Sequence, residues 1–454
     1  MKVLVVGAGE VGYHIAGHLA REKNDVVVID EDPEALRRVS DHIDALVIQG
    51  SGSSPAVLKA AGLKEAEIVM AVTNRDETNL VACLMADLIS PGTRKMARLR
   101  HDGYDGFHDQ LRDHPPHIDV VINPEIEVVK TIEHMMRIPG AAEIGEFGNG
   151  RVRFVGVGLD ENARVCGKRL ADLAHQFGQG FPLVAAIVRR DELIIPRGND
   201  QLLAGDRVYF TSAEKRLPEA LAAFGREVRP LKRALIIGGG AIGLRLAASL
   251  ERQDVNTKII EKEPARCQVL AQQLGNALVL QGDGSDQNLL SEENIKDMDA
   301  VVTLTGSEET NILSSLLARR LGARKTITKI NKFSYFPIMS AIGIEQVVSP
   351  RLSAINSILQ HIRRGKVLSA ISIHGEQAEV IEAVALETSD IVGKPLKDVD
   401  LPKGSLVTGI IRDNEVIIPS GTSVVVPDDH LIIFATRQAI AKIEKILAVK
   451  LEYF

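Results

Sequence analysis

Apolar residues along the chain fall into two alternating textures. In the first, short unbroken runs such as VLVV (3–6), VVVI (26–29) and IVMAV (68–72) are separated by helix-length stretches in which apolar positions recur every third or fourth residue. Runs apolar at every position fit strands covered on both faces, and the intervening helices then read as the crossovers of a parallel sheet. In the second texture apolar runs stand close together, joined by charged turns (RRDE at 189–192, RDNE at 412–415), with only one or two helices. That spacing predicts a small α+β domain with an antiparallel sheet.

Both textures occur twice, in alternation. VLVVGAGEVG (3–12) matches ALIIGGGAIG (234–243), Asp30 ends its run as Glu261 ends the equivalent one, QGSGS (49–53) answers QGDGS (281–285), and TNRDETN (73–79) answers TGSEETN (305–311). The strand-rich segment 183–210 matches 406–434 in the same way. A long-period repeat of this kind sets the architecture before any element is assigned. Pro, Gly and basic clusters break the periodicity at Ile138-Pro139-Gly140, Val228-Arg229-Pro230 and Arg363-Arg364-Gly365. The expected domains are therefore 1–137, 140–227, 232–362 and 366–454, a division somewhat finer than the prior of about three that length alone suggests.

Glycine spacing gives the first texture a chemistry. Gly7, Gly9 and Gly12, and again Gly238, Gly240 and Gly243, form GxGxxG directly after an apolar strand and at the start of a helix. The first glycine permits a tight turn, the second lets backbone N–H groups close on a pyrophosphate, and the third lets the helix pack on the strand. The helix N-terminus then favours the phosphate charge. Asp30 and Glu261 stand at the end of the second strand, where a carboxylate accepts hydrogen bonds from both ribose hydroxyls and repels a 2′-phosphate. The fold class is α/β, with two Rossmann-like, doubly wound parallel-sheet domains each followed by a small α+β domain. The ligand expected is NAD(H), or ATP or ADP with its free ribose, and not NADP.

Further polar residues fall at the carboxyl edge of the same sheet. Thr73 and Asn74 follow the fourth strand, as Thr305 and Gly306 do in the repeat, and Asn74 also reads as a helix N-cap with Glu77 completing a capping box. Arg98 and Lys329 end the fifth strands and offer a cation to the phosphates or to solvent. His101, His108, His114 and His117 crowd one segment, but with Asp, Gly and Pro between them they match no compact metal motif and read as a polar loop.

Composition narrows the function. The chain of 454 residues is 45% hydrophobic and 25% charged, so it is expected to be globular nearly throughout, and its net charge of −6 leaves no basic footprint for nucleic acid. The three cysteines, Cys83, Cys166 and Cys267, share no ligand spacing and read as small buried residues of a reducing compartment. No signal peptide and no run near the ~20 apolar residues of a membrane span is found. Tyr-x-x-x-Lys, HExxH, GxSxG and P-loop motifs are absent as well, which favours a sensed nucleotide over a consumed one. The alternatives carried are an NAD-dependent oxidoreductase and, with no helix-turn-helix in view, a DNA-binding redox regulator.

GAGEVG, the QGSGS and QGDGS pair, VTNRDETN, and the IIPRG and IIPSG pair together resemble the RCK-N and RCK-C modules of potassium channel and transporter regulators. The alternating order over essentially the whole chain is similar to the tandem-RCK subunits of Trk-type potassium uptake systems. That resemblance implies a non-enzymatic cytoplasmic protein, peripheral on the inner face of the membrane. It further implies docking on a membrane-embedded Trk potassium transporter subunit, as a homotetramer with a ring of N-modules. It also implies a first nucleotide site at Gly7, Ala8, Gly9, Glu10, Val11, Asp30, Thr73, Asn74 and Arg98. The second falls on Gly239, Gly240, Ala241 and Ile242 with Glu261, Asp283 and Thr305. Gly239 replaces Ala8 and Lys329 replaces Arg98, and lysine is a point charge without a bidentate fork, so the two sites are expected to differ in affinity or ligand.

Overall fold

A computed structural model describes residues 1–137, 141–177, 181–190, 192–226, 230–344, 346–362, 367–373 and 377–447. The three boundary segments anticipated from sequence fall largely outside these described residues. The chain divides into two compact units, Met1–Thr131 with Val348–Ile362, and Ile132–Val347 with Arg363–Phe454.

The first repeat opens with strands β1 (Lys2–Val6), β2 (Asp25–Asp30), β3 (Leu46–Gln49), β4 (Ile68–Ala71), β5 (Arg94–Arg98) and β6 (Val120–Ile122). Helices α1 (Glu10–Arg21), α2 (Pro33–His42), α3 (Pro55–Ala60), α4 (Asp76–Ile89), α5 (His108–Asp113) and α6 (Pro124–Arg137) alternate with them. The sheet is parallel throughout, in the order β3-β2-β1-β4-β5-β6. This is the doubly wound arrangement, and the order reverses beside β1, where such sheets bind ligands. Val3, Leu4, Val5 and Val6 are all buried, as both-face coverage requires, while α1 turns Val11, Ile15, Ala16 and Leu19 inward and leaves its polar face out.

An antiparallel domain follows, with β7 (Ala141–Phe147), β8 (Val152–Gly158), α7 (Leu170–Phe177), β9 (Leu183–Arg189), β10 (Glu192–Ile194), β11 (Arg207–Ala213) and α8 (Leu217–Ala223). Its sheet runs β10-β9-β11-β8-β7. The second parallel sheet comprises β12 (Arg233–Ile237), β13 (Asn256–Glu261), β14 (Leu278–Gln281), β15 (Ala300–Thr303), β16 (Thr326–Lys329) and β17 (Gln346–Val348). Their order, β14-β13-β12-β15-β16-β17, repeats that of the first. Helices α9 (Ala241–Glu251), α10 (Pro264–Gln273), α11 (Gln287–Glu292), α12 (Glu308–Arg320), α13 (Phe336–Ala341) and α14 (Pro350–Ile362) accompany it. The last domain holds β18 (Val367–Ile373), β19 (Ala378–Val384), β20 (Ser405–Arg412), β21 (Glu415–Ile417), β22 (His430–Thr436) and α15 (Arg437–Leu447), with sheet order β18-β19-β22-β20-β21.

The charged hairpin turns are built alike. Arg189 forks onto Asp206, at 2.7 Å to each carboxylate oxygen, and Arg412 forks onto Asp429 at 2.8 Å. Within the second unit the two antiparallel sheets share one core. Phe154 stacks on Tyr209 of its own sheet and on Phe434 of the other, at 6.0 and 6.2 Å between ring centres, with Ile373, Val380, Ile411 and Ile432 around them. The outer face of the last sheet is closed by Ala439, Ile440, Ile443 and Leu447 of α15.

The last helix of each parallel domain is held by a basic residue at the start of a fifth strand. Helix α14, which follows the second sheet in sequence, packs in the first unit against α1 and β6, and Arg94 Nη1 donates to the His361 carbonyl at its C-terminus, 2.5 Å. In the second unit the final turns of α6 lie against α9, where Ser249 and Gln253 donate to Glu133, and Lys325 Nζ donates to the carbonyls of Met135 and Met136 at 2.7 and 3.0 Å. Cations suit helix C-termini because the last carbonyls are unpaired and the dipole is negative there.

The lysine clamp is sensitive to pH. Burial lowers the Lys325 ammonium to about 8, well below the usual lysine range, with Asp299 pulling weakly the other way. A lysine whose pKa falls on folding is bound to fewer protons in the native state. Above about 8 the unfolded chain keeps the proton that the folded one has released, so stability rises with pH up to the free-lysine range. Thermal unfolding of Lys325→Met beside the parent, at pH about 7.5 and about 10, should therefore show the variant losing ground at the higher pH by roughly 1–3 kcal/mol. A pH-independent difference would show that Lys325 is not desolvated.

Candidate functional site

The two glycine loops close their strand-to-helix turns by the same geometry. Gly7 and Gly238 have φ of +111° and +108°, in the region that side chains disfavour. A Cβ on Gly12 would lie 1.8 Å from the Gly7 carbonyl oxygen, and one on Gly243 would lie 2.1 Å from that of Gly238, so only hydrogen fits there. Gly9 and Gly240, the N-caps of α1 and α9, differ. Their N-caps carry no side-chain hydrogen bond, and a Cβ built on either meets nothing within 4 Å among the described residues. Open space in front of uncapped first-turn N–H groups fits a phosphate.

Each acid ties its strand to the loop. Asp30 Oδ2 accepts the Ala8 N–H at 2.5 Å and Oδ1 accepts that of Asp32 at 2.9 Å, while Glu261 Oε2 accepts the Gly239 N–H at 2.7 Å and Oε1 that of Glu263 at 2.9 Å. A carboxylate oxygen has a second lone pair, so both acids retain acceptors for ribose hydroxyls. The loops are not interchangeable, however. A Cβ on Gly239 would lie 2.3 Å from Leu270 Cδ1, and the residue of α2 equivalent to Leu270 is the smaller Val39, beside a loop that carries Ala8. Val11 is buried and Ile242 half-buried, so their side chains belong to the packing.

The third-strand loops explain their own motif. A Cβ on Gly52 or Gly284 would lie 2.0 Å from Val6 or Ile237, the last residue of each first strand, and the glycine lets the loop lie flat on it. The residue between the glycines sets the charge. Ser51 Oγ is 3.0 Å from Ser53 Oγ, whereas Asp283 takes both the hydroxyl and the N–H of Ser285 and lies 3.2 Å from Lys262. Those hydrogen bonds, with Lys262 adding to them, bring the Asp283 carboxyl down to about 2. The second site thus has a fixed negative charge that the first lacks.

At the carboxyl edge, Thr73 and Thr305 are engaged by buried asparagines that sequence reasoning did not single out. Asn79 Oδ1 accepts the N–H and hydroxyl of Thr73 at 2.9 and 2.7 Å, and its Nδ2 donates to the Arg98 carbonyl at 2.7 Å. Asn311 does the same with Thr305 and Lys329. Fourth and fifth strand ends are thereby locked together. The signal was the final Asn shared by DETN and EETN in the repeat.

One expectation is corrected here. Asn74 is exposed and does not cap α4; Arg75 holds that position without a side-chain bond, because the Thr73 hydroxyl accepts the Arg75 N–H at 3.2 Å and starts the helix later. Asp76 instead accepts the N–H groups of Arg100 and His101, both at 2.8 Å, and Glu308 braces Asn331 and Lys332 likewise. Gly306, beside Thr305, faces open space. In the histidine-rich loop His117 lies 2.9 Å from Asp87 and His101 accepts the Gly103 N–H. Cys83 is fully buried, whereas Cys166 and Cys267 are only half-buried, short of the burial expected of them.

The first site holds a buried cation. Burial pushes the Arg98 guanidinium down to about 10, with Arg100 and Arg351 adding to the shift and Asp76 and Glu125 opposing it, and its Nε is buried with no hydrogen-bond partner among the described residues. It remains a cation at neutral pH. Glu10, at the first position of α1, would repel a phosphate if left free. Its carboxylate is 2.5 Å from Arg38 Nη1, which holds its pKa below the usual carboxylate range, and the Arg38 guanidinium lies 3.9 Å from the Tyr13 ring centre. In the second site Ala241 stands in place of Glu10, Arg266 Nε donates to the Gly239 carbonyl at 2.6 Å, and Lys329 Nζ donates to the Leu304 carbonyl at 3.2 Å.

Comparison with known proteins follows the same division. The TrkA-N domain model matches residues 3–124 and 234–350, and the TrkA-C domain model matches 154–225 and 380–448. The chain is 38% identical over 459 aligned residues to the Trk system potassium uptake protein TrkA of Azorhizobium caulinodans, covering 100% of both. It is 37% identical to that of Halomonas elongata, again with 100% of both covered. Among solved structures, the GsuK channel bound to NAD shares the fold with a TM-score of 0.60 at 17% identity, over 98% of this chain and 78% of that one.

Two glycine variants separate turn geometry from ligand space. Gly12→Ala should lower stability by about 1–3 kcal/mol through overpacking on the Gly7 carbonyl, read as a lower melting temperature. Gly9→Ala, facing open space, should melt as the parent does yet lose nucleotide affinity in a titration. Normal binding by Gly9→Ala would place the phosphate elsewhere.

Proposed function

The chain belongs to the TrkA family, with two TrkA-N and two TrkA-C domains along its length, and on that premise we propose that it is the nucleotide-sensing regulatory subunit of a Trk-type potassium uptake system. NAD(H) is its ligand at the first site, and ATP and ADP compete for the same adenosine-binding edge. The observation that carries this reading is the first glycine loop. It combines an uncapped helix N-terminus facing open space, an acid with free lone pairs at the ribose position, and the unpartnered buried Nε of Arg98. The GsuK channel, whose fold the chain shares, has been solved bound to NAD, which supports the assignment. The curated relatives reported above are named as potassium uptake proteins, and this sets aside the oxidoreductase alternative.

Among the described residues no helix is long and apolar enough to cross a membrane. The potassium pathway belongs to a separate, membrane-embedded partner, a reading supported by the naming of the relatives as Trk system proteins. This chain docks on that partner from the cytoplasm as a homotetramer, and nucleotide binding biases the gate. A ligand moves such an equilibrium only by binding one state better than the other. A shift from mostly closed to mostly open takes roughly 5 kcal/mol, which several sites share at about 1 kcal/mol each.

Titration of the full-length protein with NADH tests the site. Asp30→Ala should weaken binding at the first site by about 10- to 100-fold, the worth of hydrogen bonds to a charged group, and Glu261→Ala should affect a separate phase. Potassium uptake by a strain lacking the gene should be restored by the parent and not by Asp30→Ala. Unchanged binding in both variants would overturn the ribose assignment, and normal uptake without the gene would overturn the transport role.

A further inference from the structure

We propose that Arg351, carried by the second repeat, is a phosphate ligand of the first nucleotide site and makes that site favour nucleotides with a terminal phosphate. The inference rests on the nucleotide-binding reading above and specifies which phosphates the site distinguishes.

Arg94, at the amino end of β5, holds the carbonyl of His361 at the C-terminus of α14. Helix α14 packs along β6 and α1 and spans about 18 Å at the standard rise, enough to traverse the sheet. Its N-terminal turn, Pro350-Arg351, is thus carried to the carboxyl edge of the sheet. Arg98 ends β5 at that edge and Glu10 opens α1 there. The charge of Arg351 acts on both, on the Glu10 carboxylate and on the Arg98 guanidinium, so it lies near the two groups that flank the glycine loop.

Arg351 is half-buried, and no hydrogen bond or ion pair engages it among the described residues. Apart from the closed Glu10–Arg38 pair, the groups acting on Arg98 are Arg100 and Arg351 against Asp76 and Glu125. Arg351 thus adds a second guanidinium beside that of Arg98 at the edge where Asp30 supplies the acid. Guanidinium forks recognise the terminal oxygens of a phosphate, whereas the diphosphate of a dinucleotide is esterified at both ends and presents fewer of them. The equivalent position of the first repeat, after Pro124 in α6, is Glu125, so duplication has left the two last helices with opposite charges at one place.

Calorimetric titrations of full-length parent, Arg351→Ala, Arg351→Lys and Asp30→Ala with ATP, ADP and NADH test the assignment. Arg351→Ala should weaken ATP by about 10- to 100-fold, as expected for a charge-assisted contact, and NADH by less than about 3-fold, with ADP between them. Arg351→Lys should recover part of the ATP affinity. Melting temperatures without nucleotide should match the parent for both Arg351 variants. Equal losses for all three ligands, or undiminished ATP binding, would overturn the role of Arg351. Asp30→Ala separates the role of Arg351 from the presence of the nucleotide site. If it weakens all three ligands while Arg351→Ala weakens none, only the present inference fails; if it weakens none, the nucleotide site itself fails.

Discussion

A carbonyl oxygen standing where a side chain would otherwise begin is what the first sheet is organised around. With Gly7 and Gly12 in van der Waals contact, α1 can start immediately after β1, its N-terminus open beside Gly9, and Asp30 can reach across from β2 to the loop. Because α1 is seated this closely, it also offers the surface on which α14 packs. Gly243 and Gly238 impose the same seating on α9, whose exposed side receives Glu133 from the end of α6. Backbone contact without side chains therefore governs both the ligand edge and the way the terminal helices are placed.

On this common skeleton the two repeats have diverged in charge and volume. Ala8, Ser51, Glu10 and Arg98 in one become Gly239, Asp283, Ala241 and Lys329 in the other. The changes are compensated locally. Leu270 occupies the space that Gly239 vacates, Lys262 answers Asp283, and the absence of a carboxylate at position 241 removes the need for a partner like Arg38. Each loop is thus balanced within itself, and the two differ in charge and volume without losing their common geometry.

What the sequence disclosed was local. The glycine loops, the acid at the end of the second strand and the charged hairpin turns depend on residues close together in the chain, and their spacing carries their geometry. Asn79 and Asn311 were harder to find, because a buried asparagine acts through strand ends some distance away and only its recurrence in DETN and EETN marks it. Thr73 drew its environment from Asn79, and so the helix start was misplaced on Asn74. The position of α14 was beyond local patterning altogether. Sequence order assigns 350–362 to the second repeat, whereas packing and Arg94 assign it to the first unit.

The stacked rings of Phe154, Tyr209 and Phe434 bear on how such a chain came to be assembled. All three are fully buried, and they join strands from both antiparallel sheets into one interior. A polypeptide containing a single repeat would turn that aromatic face to water and would be obliged to find another copy. Joining the repeats end to end converts a bimolecular encounter into an intramolecular one, so this pairing no longer depends on how dilute the protein is in the cell. It also frees each half to vary on its own, since the partner across the interior is always the other half and never an identical one.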